Sequence, residues 1–128
     1  MLKKILAIDD EASVTRMIKL NLEATGQYDV LMVNAARSAY AAALGFKPDL
    51  ILLDVMMPDM DGGEVAAQFG ADPSLKDIPI VYLTAAVTRQ EAGHKHLASG
   101  GRRLVAKPIT LKELVVCIEE TLRGSDAS

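Results

Sequence analysis

Polar side chains of the types that bind metal ions and phosphate groups stand directly after four short apolar runs. The runs are residues 5–8, 50–53, 80–83 and 104–106, and the residues that follow them are Asp9 with Asp10, Asp54, Thr84 and Lys107. Such runs are typical of buried strands, and open α/β sheets bind ligands at the carboxyl ends of their strands. Three carboxylates, a hydroxyl and an ammonium at one such edge would form a site for a metal ion and a phosphate group.

The three acidic residues of this set predict a magnesium site. Asp9 and Asp10 follow the first predicted strand and Asp54 follows the third, and these two strands are neighbours if the strand order is 2-1-3-4-5. Carboxylates that crowd together repel one another, and a divalent cation relieves the repulsion. Mg²⁺ prefers oxygen ligands and commonly takes one or two carboxylates together with phosphate oxygens. Any one of these acids alone could equally cap a turn, so the combination carries the prediction.

Strand and helix patterns alternate along the whole chain. Strands are predicted over residues 3–8, 28–33, 50–53, 80–83 and 104–106, with helical patterns between them and after the last. Strict alternation predicts an α/β fold: a doubly wound, five-stranded parallel sheet in the flavodoxin-like order 2-1-3-4-5, with helices on both faces. We expect residues 1–124 to form one domain and residues 125–128 to form a polar tail.

Capping residues predict where several helices begin and end. Gly26 is expected to end the first helix, Asn34 to cap the second and Gly45 to close it after Leu44. A third helix is predicted over 64–69, a weak polar one from 88 or 89 to 97, and a last one up to about residue 123. Thr110, with Glu113 three residues on, predicts a capping box at the start of the last helix.

Composition excludes several classes of protein. The chain has 128 residues, half of them hydrophobic, and a net charge of −3, which argues against a dedicated nucleic-acid binder. Its one cysteine, Cys117, lies in an apolar helical stretch and is expected to be a small buried hydrophobe in a reducing compartment. No apolar run approaches the roughly 20 residues of a membrane span. We therefore expect a cytoplasmic protein that does not bind a membrane.

Four segments together resemble the receiver domains of two-component response regulators, of the chemotaxis-regulator kind. They are residues 5–11 (ILAIDDE), 48–62 (PDLILLDVMMPDMDG), 83–85 (LTA) and 106–108 (AKP). The resemblance implies that Asp54 is the phosphorylated residue. It also implies that Asp10 binds Mg²⁺ directly, with Asp9 acting largely through water and the main-chain carbonyl of Met56 completing the protein ligands. Lys107 and Thr84 would each hold a phosphate oxygen, and the bond between Lys107 and Pro108 would be cis.

The same resemblance implies a signalling role. The donor would be a histidine kinase or a histidine phosphotransfer protein, and phosphorylation would change the surface offered to a downstream protein that the sequence does not identify. The domain would not be an enzyme, apart from phosphorylating itself from small phosphodonors and losing the phosphate again. We expect no direct contact with nucleic acid, and a monomer or a weak dimer.

Three features depart from the family pattern. Leu104 stands where receiver domains usually have Tyr or Phe, so the coupling of Thr84 to that position is expected to be weaker. Arg102 and Arg103 stand where acidic residues are common, which makes the dimers usual among transcription factors of this family less favourable. Gly93 weakens the fourth predicted helix.

Two other functions remain open from the sequence. The first is an interaction domain of the same fold that is not regulated by phosphorylation, which Leu104 and the basic residues Arg102 and Arg103 favour. The second is a phosphohydrolase with an aspartyl-phosphate intermediate, which would share Asp54, Mg²⁺ and Lys107. Against the second, Met56 stands where such an enzyme would need a second aspartate two residues after the nucleophile.

Overall fold

A parallel sheet of five strands in the order β2-β1-β3-β4-β5 forms the centre of the domain, as the sequence predicts. The computed structural model describes residues 2–55, 57–58, 62–84, 103–107 and 109–127. Its strands are β1 (Lys3–Ile8), β2 (Tyr28–Val33), β3 (Leu50–Asp54), β4 (Ile80–Thr84) and β5 (Arg103–Ala106). Its helices are α1 (Ala12–Ala24), a short 3₁₀ turn (Ala36–Ser38), α2 (Ala39–Phe46), α3 (Gly62–Ala71) and α4 (Leu111–Ala127). Among the described helices, none has both the length and the hydrophobicity that a membrane span requires.

Helices pack on both faces of the sheet. Successive side chains along a strand point to opposite faces, so each strand contributes residues to both. On one face Ile5, Leu52 and Leu83 belong to a buried cluster that includes Ile18 of α1 and Ile118 of α4. On the other face the alternate strand residues, which include Leu6, Ile51 and Leu53, pack with residues of α2 and α3. Every residue of β3 is buried, as expected for a central strand covered on both sides.

The predicted end of the first helix agrees with the structure, whereas the predicted start and end of the second do not. Gly26 has a φ of 78° and lies just after α1, so its prediction as the helix stop is confirmed. The predicted cap at Asn34 is wrong, because the chain continues into the 3₁₀ turn and α2 begins only at Ala39. Gly45 lies inside α2, and Lys47 instead adopts the left-handed conformation that ends this helix, with a φ of 55°.

The later boundaries differ from the prediction by a few residues. The helix α3 begins at Gly62 and ends at Ala71, so it is longer at both ends than the predicted 64–69. The helix α4 continues to Ala127, beyond its predicted end near residue 123. The main-chain N–H of Glu113 donates to Thr110 Oγ1 at 3.2 Å, which confirms Thr110 as the cap of this helix. The predicted helix over 88–97, with Gly93, and Arg102 lie outside the described residues.

Two side chains of α1 cover the main chain of the edge strand β2. The main-chain N–H of Val30 donates to Glu23 Oε2 at 3.0 Å, and Lys19 Nζ donates to the Val30 carbonyl at 2.7 Å. Lys19 and Glu23 also form an ion pair of 2.9 Å with each other. An edge strand presents unpaired main-chain groups that other strands can bind. At Val30 these groups are instead occupied by the chain's own side chains.

Replacing Glu23 by Gln is expected to lower stability at neutral pH but not in acid. The Val30 N–H and the Lys19 ammonium hold the pKa of Glu23 below its ordinary value of 4.5. Its charge therefore stabilises the fold fully above the ordinary pKa, and this contribution is lost as the pH falls through the lower folded-state value. Because the pair is partly exposed, the expected loss of unfolding free energy is below about 1 kcal/mol.

Urea unfolding of the wild type and Glu23→Gln between about pH 3 and about pH 7 measures this difference. The other carboxylates are the same in both proteins, so their contributions cancel in the difference between the two unfolding free energies. A difference that stayed constant down to the lowest pH would contradict the assignment.

Candidate functional site

The sheet register brings the ends of β1, β3 and β4 to one edge. Ile8 pairs with both Val33 and Leu53, so Asp9 emerges beside the end of β3. The Asp9 N–H donates to the Val33 carbonyl at 3.0 Å, which extends the pairing of β1 with β2 by one residue. Asp54 pairs with Leu83 of β4. The ends of these strands therefore meet at one edge of the sheet, as the sequence predicts.

The acidic residues at this edge form a compact cluster. Asp9, Asp10 and Asp54 each offer one carboxylate oxygen, and these oxygens lie within 4.8 Å of one another. Asp9 is fully buried and Asp54 is 3% exposed, whereas Asp10 is open to solvent. The donors are all oxygens, and the open side at Asp10 leaves room for the waters that Mg²⁺ retains. The residues present therefore fit a magnesium ion.

Lys107 is the cation of the cluster. Its Nζ lies 2.8 Å from Asp9 Oδ2, 3.0 Å from Glu11 Oε1 and 3.7 Å from Asp54 Oδ2. Partial burial opposes the charge of Lys107, but the carboxylates of Asp9 and Glu11 outweigh this effect and raise its pKa. The lysine is therefore held as an ammonium. One ammonium offsets only part of the charge of the surrounding carboxylates, so the cluster keeps an excess of negative charge.

Thr84 lies at the same edge, at the end of β4. It pairs with Ala106 of β5, and its carbonyl accepts a hydrogen bond of 2.9 Å from the Lys107 N–H. Thr84 is 3% exposed. The threonine and the lysine are thus fixed to each other through the main chain at the ends of neighbouring strands.

Two further residues contact the acidic cluster, and the sequence alone does not predict these contacts. Glu11 holds Lys107 through its side chain, and its main-chain N–H donates to Asp9 Oδ1 at 2.9 Å. Asn34 Nδ2 donates to the Asp9 carbonyl at 2.9 Å. The sequence does contain an indication for Asn34. It directly follows β2, so it stands at a strand end like the other site residues.

Some predicted features fall outside the described residues. They include Met56, the expected main-chain ligand, and Pro108, whose peptide bond was expected to be cis. Leu104 is described: it pairs with Tyr82 of β4, is partly buried and packs against the cluster on the α2 and α3 face. The position that is usually aromatic therefore holds a leucine beside a buried tyrosine.

Comparison with known proteins agrees with this geometry. Residues 5–119 match the family described as the response regulator receiver domain. The phosphate regulon transcriptional regulatory protein PhoB of Pseudomonas aeruginosa is 39% identical over 123 residues, which cover 94% of this chain and 52% of that protein. The alkaline phosphatase synthesis transcriptional regulatory protein PhoP of Bacillus subtilis is 38% identical, over 98% of this chain and 51% of that protein. The chain thus spans about half the length of these curated relatives.

A solved structure gives the same result for the fold. The chemotaxis protein CheY4 of Vibrio cholerae superimposes with a TM-score of 0.81 and 28% identity, over 94% of this chain and 99% of that chain. The family match covers most of the present chain, and the strand order and the edge cluster agree with it. The chain therefore belongs to the family of response regulator receiver domains of two-component signal transduction.

Proposed function

We propose that this receiver domain accepts a phosphoryl group on Asp54 in the presence of Mg²⁺. The observation that carries the proposal is the position of Asp54, whose Oδ2 lies 3.7 Å from Lys107 Nζ within the same acidic cluster as Asp9 and Asp10. This carboxylate lies near a cation and belongs to the set of acids that would hold the metal ion. This arrangement suits a nucleophile that must receive a highly charged group.

Asp9, Asp10 and Asp54 are the described residues that would hold the ion, and family membership adds the Met56 carbonyl. Receiver domains typically bind Mg²⁺ at an acidic cluster of this kind. When bound, the ion would neutralise negative charge on the transferring group and so lower the barrier to transfer. Asp10 would bind the ion directly and Asp9 largely through water; the exposure of Asp10 and the 2.8 Å contact of Asp9 with Lys107 are compatible with these roles.

The proposed step exchanges one bond to phosphorus for another. A carboxylate oxygen of Asp54 forms a bond to phosphorus while the bond between phosphorus and the donor's imidazole nitrogen breaks. The electron pair of that bond remains on the imidazole. Lys107 would bind one oxygen of the phosphoryl group through its ammonium and Thr84 another through its hydroxyl. No general base is needed, because an ionised carboxylate attacks without losing a proton.

The proposed chemistry also implies a class of phosphodonor and a later hydrolysis of the acyl phosphate. The donor would be a histidine kinase or a histidine phosphotransfer protein, and water could later take the place of Asp54 as the acceptor and release phosphate. Receiver domains are in general signalling rather than catalytic domains, so we expect only self-phosphorylation from small phosphodonors and slow self-dephosphorylation. We propose that residues 1–124 form this unit in the cytoplasm, where the buried Cys117 stays reduced. The downstream partner would be a protein, since a net charge of −3 does not favour binding to nucleic acid.

The test is an intact-mass spectrum after incubation with acetyl phosphate, with Mg²⁺ or with a chelator in its place. We expect a single added phosphoryl group with Mg²⁺ and little or none with the chelator. A folded protein that gains no mass in either condition would contradict the proposal and favour an interaction domain that phosphorylation does not regulate. Continuous release of phosphate from small monoesters would instead favour a phosphohydrolase.

A further inference from the structure

The side chain of Asn34 joins β1 to α1 next to the acidic cluster. Its Nδ2 donates to the Asp9 carbonyl at 2.9 Å and to Thr15 Oγ1 at 2.8 Å. Thr15 is fully buried and donates in turn to the Ala12 carbonyl at 3.2 Å, in the first turn of α1. The amide of Asn34 is therefore anchored to a buried residue in the first turn of α1 while it holds the end of β1.

The atom that Asn34 holds determines how the two acids are oriented. The carbonyl of Asp9 belongs to the peptide unit that links Asp9 to Asp10, and a peptide unit is planar. Fixing this carbonyl fixes the plane from which both residues extend. On the other side, the Asp9 N–H is already held by the Val33 carbonyl at 3.0 Å. The main chain of Asp9 is thus restrained at both its amide and its carbonyl, each time by the end of β2.

Helix capping does not explain the hydrogen bonds of the Asn34 side chain. The residue in the capping position of the 3₁₀ turn is Ala35, and Asn34 instead makes its contacts across the sheet edge. The only other asparagine of the chain, Asn21, lies within α1 and has no such place at a strand end. Asn34 is therefore the asparagine that lies beside the acids, and Asn21 can serve as a control away from them.

We propose that Asn34 is a positioning residue for the divalent cation, acting through the peptide unit between Asp9 and Asp10 without touching the ion. The inference rests on the proposed cation site, since it assigns Asn34 to the preparation of that site. Groups that orient metal ligands typically change metal affinity by about 10- to 100-fold when they are removed. Because main-chain bonds still hold Asp9, we expect the lower end of this range.

The test is a calorimetric titration of the metal-free protein with MgCl₂, comparing the wild type, Asn34→Ala and Asn21→Ala. Asn34→Ala is expected to raise the Kd for Mg²⁺ about tenfold, while Asn21→Ala leaves it unchanged. Amide exchange in the metal-free proteins provides a second readout, with faster exchange at Asp10 and Glu11 expected in Asn34→Ala alone. An unchanged Kd in a folded Asn34→Ala protein would overturn the inference.

Two further outcomes keep this test separate from that of the proposed function. If the wild type binds no Mg²⁺, the cation site itself fails, and unchanged amide exchange in Asn34→Ala then also overturns the positioning role. If Asn34→Ala does not fold, Thr15→Val replaces it, since this variant keeps the bond to Asp9 but frees the amide from α1. A Kd for Thr15→Val equal to that of the wild type would then count against the inference.

Discussion

Asp54→Asn is expected to abolish phosphorylation by acetyl phosphate. The change keeps the size and shape of the side chain but removes the negative charge that makes it a nucleophile, and an amide oxygen does not form a stable acyl phosphate. Because Lys107 keeps two closer carboxylates, those of Asp9 and Glu11, the neutral amide should leave the fold intact. Intact-mass spectrometry of both proteins measures the outcome directly, and the expected effect is complete loss of the phosphoryl adduct.

Asp49→Asn is the matched control for this experiment. Asp49 lies just before β3, at the end opposite to Asp54, and its Oδ2 accepts a hydrogen bond of 2.8 Å from the Lys4 N–H. The control thus makes the same chemical change next to the same strand but away from the cluster. It should be phosphorylated like the wild type. An adduct of equal yield on Asp54→Asn would show that another residue accepts the phosphoryl group.

Lys107→Met is expected to produce the largest loss of stability among variants of the site. Methionine keeps much of the length of the side chain but leaves the fully buried carboxylate of Asp9 without its cation at 2.8 Å. Breaking a buried ion pair by removing one partner costs about 3–5 kcal/mol, and since Lys107 is partly exposed we expect about 3 kcal/mol. Urea unfolding in the presence of a chelator measures this difference.

Mg²⁺ should reduce the deficit of Lys107→Met, because an ion that binds only the folded state stabilises it and here replaces part of the missing positive charge. Lys112→Met serves as the control, since Lys112 is exposed on α4 and carries the same change in charge. The control should stay close to the wild type with and without Mg²⁺. Equal stability of Lys107→Met and the wild type in chelator would contradict the structural role assigned to the lysine.

The strand ends could be predicted from the sequence because each carries two agreeing signals. Residues 5–8 and 50–53 are continuously apolar, which indicates strands buried on both faces, and a carboxylate follows each run. Parallel pairing then requires Asp9 and Asp54 to share an edge, and their oxygens do lie together. The bounds of β1 and β2 also agree with the prediction, and a change from apolar to polar residues marks the end of each strand.

Contacts between distant side chains could not be predicted in the same way. Asn34 is a residue type that often caps helices. Its amide instead donates to Asp9 and Thr15, because the sheet brings the end of β2 next to β1. Gly45 is a residue type that often ends helices, yet α2 continues to Phe46, and Lys47 after it adopts a left-handed conformation that L-residues seldom adopt. For Asn34, tertiary contacts therefore override the local preference for a helix cap.

The contact of Glu11 with Lys107 shows the same limit within the site. These residues are 96 positions apart, and their 3.0 Å hydrogen bond depends on how β5 ends relative to the turn after β1. Local sequence indicates that both are charged but not that they meet. Only the strand order and the register together place one beside the other.

The most direct measurement is to locate the phosphoryl group on the wild-type chain. Borohydride reduces an aspartyl phosphate to homoserine, so reduction after incubation with acetyl phosphate and Mg²⁺, followed by peptide mass spectrometry, identifies the acceptor. We predict homoserine at position 54 and at no other aspartate. Homoserine at another position, or a phosphoryl group that survives on a histidine, serine or threonine, would contradict the assignment of Asp54 as the phosphoacceptor.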